Sequence, residues 1–141
     1  MKTLYTTAVT ASGARGGSIK SDDGTLEMDL SLPKGLGGTG GKGTNPEQLF
    51  AGAYSACFGS ALLVVAKDKQ VVLGNFTVTA NISIGKTTEG DLQLSAILDC
   101  YLPGQTVEVG EELVNAAHEI CPYSRATRDN IDVTLNLLLD E

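Results

Sequence analysis

Along the chain, apolar and polar residues alternate in several stretches and lose all alternation in one. Leu4, Thr6, Ala8 and Thr10 oppose Tyr5, Thr7, Val9 and Ala11, which predicts a strand over 3–11. A turn at 12–17 with one charge, Arg15, leads to a short strand over 18–20, and Asp22-Asp23-Gly24 is a hairpin signal. Over 25–32, Leu26, Met28, Leu30 and Leu32 alternate with polar partners, as in a strand with one wet face. Phe76, Val78, Ala80, Ile82 and Ile84 mark a strand over 76–86, and Leu92, Leu94, Ala96, Leu98 and Cys100 carry the chain back over 92–102. Gly110, Leu113, Val114, Ala117, Ile120 and Cys121 recur at helical spacing, so 106–121 reads as an amphipathic helix. Pro122 ends it, because the residue before a proline avoids the helical region. Residues 123–130, with Arg125 and Arg128, read as a loop or a short turn of helix, and 131–139 as a last strand.

The stretch without alternation is the longest. Asn45 suits an N-cap, Pro46 the first helical position, and Glu47 the positive end of the helix dipole. From Leu49 to Ala66 no charge interrupts the run. A helix apolar on nearly every face must be covered on nearly every side. Its length also suits a membrane span, but it is rich in Ala, Gly and Ser and has strands on both sides, so the reading is a buried central helix. One small sheet covers one face, and a second copy of the chain is expected to cover the other. The element order is β-β-β-α-β-β-α-β. The fold class is α+β, antiparallel strands packed on two main helices, in a single domain over 1–141.

Composition narrows the function classes. A net charge of −7 argues against nucleic acid and against an anionic membrane surface. The first residues hold no apolar run of signal-peptide length, so a cytoplasmic protein is expected. Three scattered cysteines do not make a secreted disulfide framework; redox-active, metal-binding or inert thiols remain. Residues 33–44 hold two nucleotide-motif decoys. Gly35-Leu36-Gly37-Gly38-Thr39-Gly40 fits G-x-G-x-x-G, but the helix begins too late and no acidic residue follows at ribose distance. Gly41-Lys42-Gly43-Thr44 resembles the end of a P-loop, but Gly43 stands where a magnesium-binding hydroxyl belongs. The segment reads as a mobile surface loop.

Cys57 lies about three turns inside its helix, beyond the help of the N-terminal dipole. A buried thiol there has a raised pKa and is inert unless a cation reaches it. Cys121, at the negative end of a helix, disfavours the thiolate. By position alone these are core cysteines more readily than functional ones.

Two longer motifs decide between those readings. The stretch from Gly43 to Ala51, then Tyr54 and Ala56-Cys57-Phe58, resembles the peroxidatic-cysteine helix of the organic hydroperoxide resistance (Ohr) proteins. Ala117-His118-Glu119-Ile120-Cys121-Pro122-Tyr123-Ser124, then Ala126-Thr127-Arg128 and Asn130-Ile131-Asp132-Val133, resembles their second-cysteine segment. The hairpin around Arg15 and Asp23-Gly24 is similar as well. The Cys-Pro-Tyr-Ser wording favours this branch over the related OsmC branch. Arg125, where Asn is usual, Asp129, where Gly is common, and Ala51-Gly52-Ala53 depart from the pattern without removing a reacting group.

The resemblance implies an intertwined dimer and a thiol peroxidase that reduces organic hydroperoxides to alcohols. Cys57 would become a sulfenic acid and Cys121 would close a disulfide onto it. A dithiol, in this family a lipoyl group, would reopen it, with no cofactor and no metal. Arg15 matches the arginine that holds Cys57 as thiolate, and Glu47 the carboxylate that fixes that arginine. Physical chemistry adds that a guanidinium in a dry pocket lowers a thiol pKa and needs a carboxylate partner. Glu47 and Cys57 are ten positions apart, about 15 Å along one helix. A composite site is therefore expected, with Arg15 and Glu47 from one chain and Cys57 and Cys121 from the other. Phe50, Tyr54 and Phe58 are candidates for an apolar substrate mouth, and Cys100 reads as a buried strand residue. Three rivals remain: an OsmC-type peroxidase of broader peroxide range, a non-catalytic ligand carrier, and a metal-binding dimer using Cys57, Cys121 and His118.

Overall fold

Asn45 starts the long helix as its chemistry requires. Its Oδ1 accepts the Gln48 N–H at 2.8 Å, satisfying one of the donors that a helix start leaves free. The helix that follows, α1, spans Pro46–Asp68. In this computed structural model, which describes residues 1–140, the chain forms two compact units, Met1–Leu49 and Phe50–Glu141.

The first unit is a three-stranded antiparallel sheet of β1 (Val9–Ser12), β2 (Ser18–Ser21) and β3 (Glu27–Asp29), in the order β1-β2-β3. The strand expected over 3–11 is shorter than its pattern. Val9 pairs with Ser21 and Ser12 with Ser18. Beyond Ser21 the second strand enters its turn, so residues 3–8 have no strand to lie against, and alternation alone cannot supply ladder hydrogen bonds. The glycine-rich loop is not the free loop expected. It folds back along β3: Gly40 N–H donates to Leu32 O, Thr44 N–H to Asp29 O, Ser31 N–H to Thr44 O, and Gly43 N–H to Ser31 Oγ. A Cβ on Gly43 would sit 2.5 Å from the Leu30 carbonyl carbon, so glycine there permits close backbone approach rather than phosphate binding.

The second unit builds the core. Strands β4 (Thr77–Lys86) and β5 (Leu92–Tyr101) form the long antiparallel hairpin, and β6 (Val133–Leu138) joins beside β5. The antiparallel expectation holds for every other strand pair, but β6 runs parallel to β5, with Ala96 opposite Val133 and Tyr101 opposite Leu138. The cause is the connection. It passes through α2 (Val107–Ile120) and α3 (Pro122–Thr127), and a helical crossover brings the chain back to run in the same direction. Thr106 caps α2 by accepting the Val109 N–H at 3.2 Å. Pro122 both ends α2 and opens α3 at its first position, where a missing N–H costs nothing.

Tyr54, Phe58, Leu62 and Ala66 of α1 meet Leu98 and Cys100 of β5 and Leu113 and Ala117 of α2 in one buried cluster. The wet side of the sheet is polar, with Asn81 and Asn136 both donating to the Asp99 carboxylate. Helix α2 lies so close to β6 that a Cβ on Gly110 would stand 2.7 Å from the Leu137 side chain. Helix α1 behaves differently: one face is in the core, while Leu63 and Val64 are 52% and 50% exposed.

Candidate active site

The four residues expected to carry chemistry occur as two pairs. In the first unit a short 3-10 turn, Ala14–Gly16, presents Arg15. Gly13 and Ala14 are both left-handed there, at φ 76° and 51°, and any side chain on Gly17 would strike the Ser12 carbonyl. The Arg15 guanidinium meets Glu47, in the first turn of α1, in a two-pronged ion pair. Nη1 donates to Oε2 at 2.9 Å and Nη2 to Oε1 at 2.7 Å. This geometry matches a planar fork to a carboxylate, which a lysine cannot do. The paired arginine holds Glu47 below its ordinary carboxylate range, and Glu47 raises Arg15 in return. The side chains are 38% and 13% exposed, so the guanidinium is wetter than the dry pocket expected for it.

In the second unit Cys57, in α1, and Cys121, between α2 and α3, lie with their sulfurs 3.8 Å apart. All three cysteines are free thiols. A disulfide needs about 2.05 Å, so the sulfurs must close by about 1.8 Å, within reach of side-chain rotation and a small backbone shift. Burial pushes the Cys57 thiol up, and the neighbouring Cys121 thiol pushes it further; the Tyr123 backbone N–H, near the start of α3, pulls the other way. Cys57 thus has the raised pKa expected of a buried mid-helix thiol. Cys100 is fully buried in β5 and pushed up to about 12, first by burial and then by the Asp99 charge.

Aromatic rings cluster on the segments that carry the two thiols, α1 and the start of α3. Phe50 stacks on Tyr54 at 5.8 Å, and Tyr123 lies 6.5 Å from Phe50 and 6.0 Å from Tyr54. Tyr54 and Phe58 are fully buried, whereas Phe50 is half-buried and Tyr123 exposed. The Tyr54 hydroxyl bonds to Ser124 Oγ at 2.9 Å and Thr127 Oγ1 at 3.1 Å, tying α1 to α3. His118 has its Nδ1 buried without a partner, and burial, then Arg128, hold its pKa down. Among the described residues, no three of His, Cys, Asp and Glu gather as a metal ion would require.

Two contributors were given no role in the sequence reading: Tyr123 through its backbone and ring, and the Ser124 and Thr127 hydroxyls. Only the first had a local signal, since Pro at the first helical position leaves the next N–H free of the helix ladder. The hydroxyl triad joins residues at least 70 positions apart, which no local pattern records.

Residues 38–136 match the family described as OsmC-like protein. The chain is 46% identical over 137 residues to the organic hydroperoxide resistance protein of Xanthomonas axonopodis pv. citri, with 96% of each chain covered. It is 45% identical over 135 residues to organic hydroperoxide resistance protein OhrB of Bacillus subtilis, covering 95% of this chain and 98% of that one. It superposes on an organic hydroperoxide resistance protein from Elizabethkingia anophelis with a TM-score of 0.93 at 48% identity, over 99% of this chain and 100% of the other. Two facing thiols, set in a fold and sequence shared almost end to end with these relatives, lead to one assignment: the chain belongs to the OsmC-like family, in its organic hydroperoxide resistance branch.

Proposed function

We propose that this protein is a cysteine peroxidase that reduces organic hydroperoxides to alcohols. One observation carries the reading: the 3.8 Å approach of Cys57 to Cys121, residues 64 positions apart on different elements. The Cys57 thiolate attacks the distal oxygen of R–O–OH. The S–O bond forms, the O–O bond breaks, and the alkoxide takes a proton to leave as the alcohol. Cys57 is then a sulfenic acid. The Cys121 sulfur attacks the Cys57 sulfur. The S–S bond forms, and the hydroxyl departs as water with the Cys121 proton. An external dithiol, of which a lipoyl group is the type implied by the family, regenerates both thiols by exchange and leaves oxidised. Phe50 and Tyr123 offer the apolar mouth for the organic part of the peroxide.

Attack needs a thiolate, and burial works against one. Arg15, held in place by Glu47, is the proposed activating cation. Because Glu47 and Cys57 are about 15 Å apart along α1, the Arg15–Glu47 pair of one protomer serves the thiols of the other. The half-exposed Leu63 and Val64 support a second copy lying against α1.

Mass spectrometry after one equivalent of tert-butyl hydroperoxide tests the chemistry. A Cys57–Cys121 crosslink is expected, with turnover abolished in Cys57→Ser. No crosslink, or turnover surviving that substitution, sinks the peroxidase reading. Comparing tert-butyl hydroperoxide, fatty-acid hydroperoxides and hydrogen peroxide tests the substrate class. Mixing Arg15→Met, which keeps little activity at neutral pH, with inactive Cys57→Ser tests the composite site. Random pairing restores about a quarter of the sites if each site takes residues from two chains, and none if it takes them from one.

A further inference from the structure

The end of α2 has a defect that another part of the chain repairs. In a continuing helix the His118 carbonyl accepts from the N–H four residues on. That residue is Pro122, which has no N–H. The donor comes instead from Arg128, whose Nη1 lies 2.8 Å from His118 O.

The route of the chain explains how Arg128 arrives there. It is the C-cap of α3, its N–H bonded to Ser124 O at 2.7 Å. Asp129 then takes a left-handed conformation, φ 63°, and the N–H groups of Asn130 and Ile131 both return to Thr127 O at 3.0 Å. This tight turn points the Arg128 guanidinium back from the end of α3 to the end of α2. A cation also suits the negative end of the α2 dipole. Between the two helix ends sits Cys121. Its N–H is bonded to Ala117 O and its carbonyl accepts from Arg125 N–H, both at 2.9 Å, so its backbone is fixed by both helices.

We infer that Arg128 is a positioning residue for Cys121: by supplying the hydrogen bond that Pro122 cannot, it locks the α2–α3 junction and holds the Cys121 sulfur in line for Cys57. The inference rests on the proposed role of Cys121 as the cysteine that closes the disulfide. It concerns the second step of that reaction and not the first, since Arg128 is engaged with a backbone carbonyl.

The test separates the two steps in Arg128→Met and Arg128→Lys. The first step is read as hydroperoxide consumed in a single turnover; the second is read by mass spectrometry as disulfide formed against Cys57 over-oxidised to sulfinic acid under excess tert-butyl hydroperoxide. Losing a charged hydrogen bond at the junction is expected to slow disulfide closure about tenfold in R128M, with peroxide consumption within about twofold of the parent. R128K, which still carries a donor of similar reach, is expected to recover most of the closure rate. Should R128M not fold, Arg128→Gln, whose amide is too short to span the junction, takes its place with the same readings. Closure at the parent rate in R128M or R128Q overturns the inference, as does closure in R128K as slow as in R128M. If the unsubstituted protein itself forms no Cys57–Cys121 disulfide, the peroxidase reading fails instead, and the two failures are told apart by that control.

Discussion

The Arg15–Glu47 pair and the Cys57–Cys121 pair are held by opposite physics. The first is two full charges, partly in water, each favouring the ionised form of the other. The second is a pair of thiols with Cys121 buried and Cys57 half-buried, where desolvation favours the neutral form of Cys57 and the second sulfur adds to that preference. Water and a fixed counter-charge sustain ionisation, and burial removes it. One pair therefore holds charge without a nucleophile, and the other holds a nucleophile without charge. The proposed chemistry needs both, and the contrast yields a graded set of tests.

Removing the cation should have the largest effect. Arg15→Met is expected to lower kcat/KM for tert-butyl hydroperoxide by about 10²–10³-fold, the usual cost of losing a preorganised electrostatic partner. Its remaining activity should rise with pH into the alkaline thiol range, because the thiolate fraction grows as pH climbs through a pKa left raised by burial. Arg15→Lys should recover part of the loss, lacking the two-pronged fork. A neutral-pH rate unchanged in R15M would erase the contrast between the pairs.

Unclamping the cation should cost less. Glu47→Gln is expected to reduce activity about tenfold, one hydrogen-bonded charge having been removed. The pH dependence has a defined sign. Because Glu47 is depressed in the folded protein, the ion pair is fully present above its ordinary value of 4.5 and is lost as pH falls through the lower folded value. The parent protein should therefore keep Arg15 anchored through mildly acidic pH, and E47Q should show no acid limb from this group. An identical acid limb in both proteins would assign it elsewhere.

Next in size is a stability effect confined to the second unit. Tyr54→Phe leaves the buried Ser124 and Thr127 hydroxyls without their shared partner and should destabilise by about 1–3 kcal/mol in urea titration. No change would mean that the hydroxyl triad does not bind α3 to α1. The smallest effect concerns Asp129, which adopts a left-handed φ of 63° that costs a residue with a side chain. Asp129→Gly should stabilise by up to about 1 kcal/mol, read as a shift in the urea midpoint. A loss of stability would show that the Asp129 side chain earns its place through contacts.

Much of this was legible in residues. The N-cap at Asn45, the amphipathic face of α2, the β4–β5 alternation and the break at Pro122 each follow from chemistry within a few positions, and each is found where expected. Other features were not. The alternation of residues 3–8 had no way to record that its partner strand would turn away at Ser21. The glycines at 38 and 43 look alike as composition, whether they cradle a phosphate or let a loop fold against β3; only the backbone beside them distinguishes the two. The parallel direction of β6 depended on where the crossover helices deliver the chain.

Taken alone, the amino-acid order determined most of the elements, because capping and periodicity are local properties, and its two long motifs carried the family resemblance. It also named the two cysteines proposed to react and the arginine and carboxylate proposed to serve them. Only the tertiary structure decided that two sulfurs 64 positions apart face one another at 3.8 Å, that Tyr54 reaches Ser124, and that Arg128 answers for the N–H missing at Pro122. Such contacts form when separately encoded elements are packed together, and the energy that selects them is the burial of faces that no single element can cover by itself.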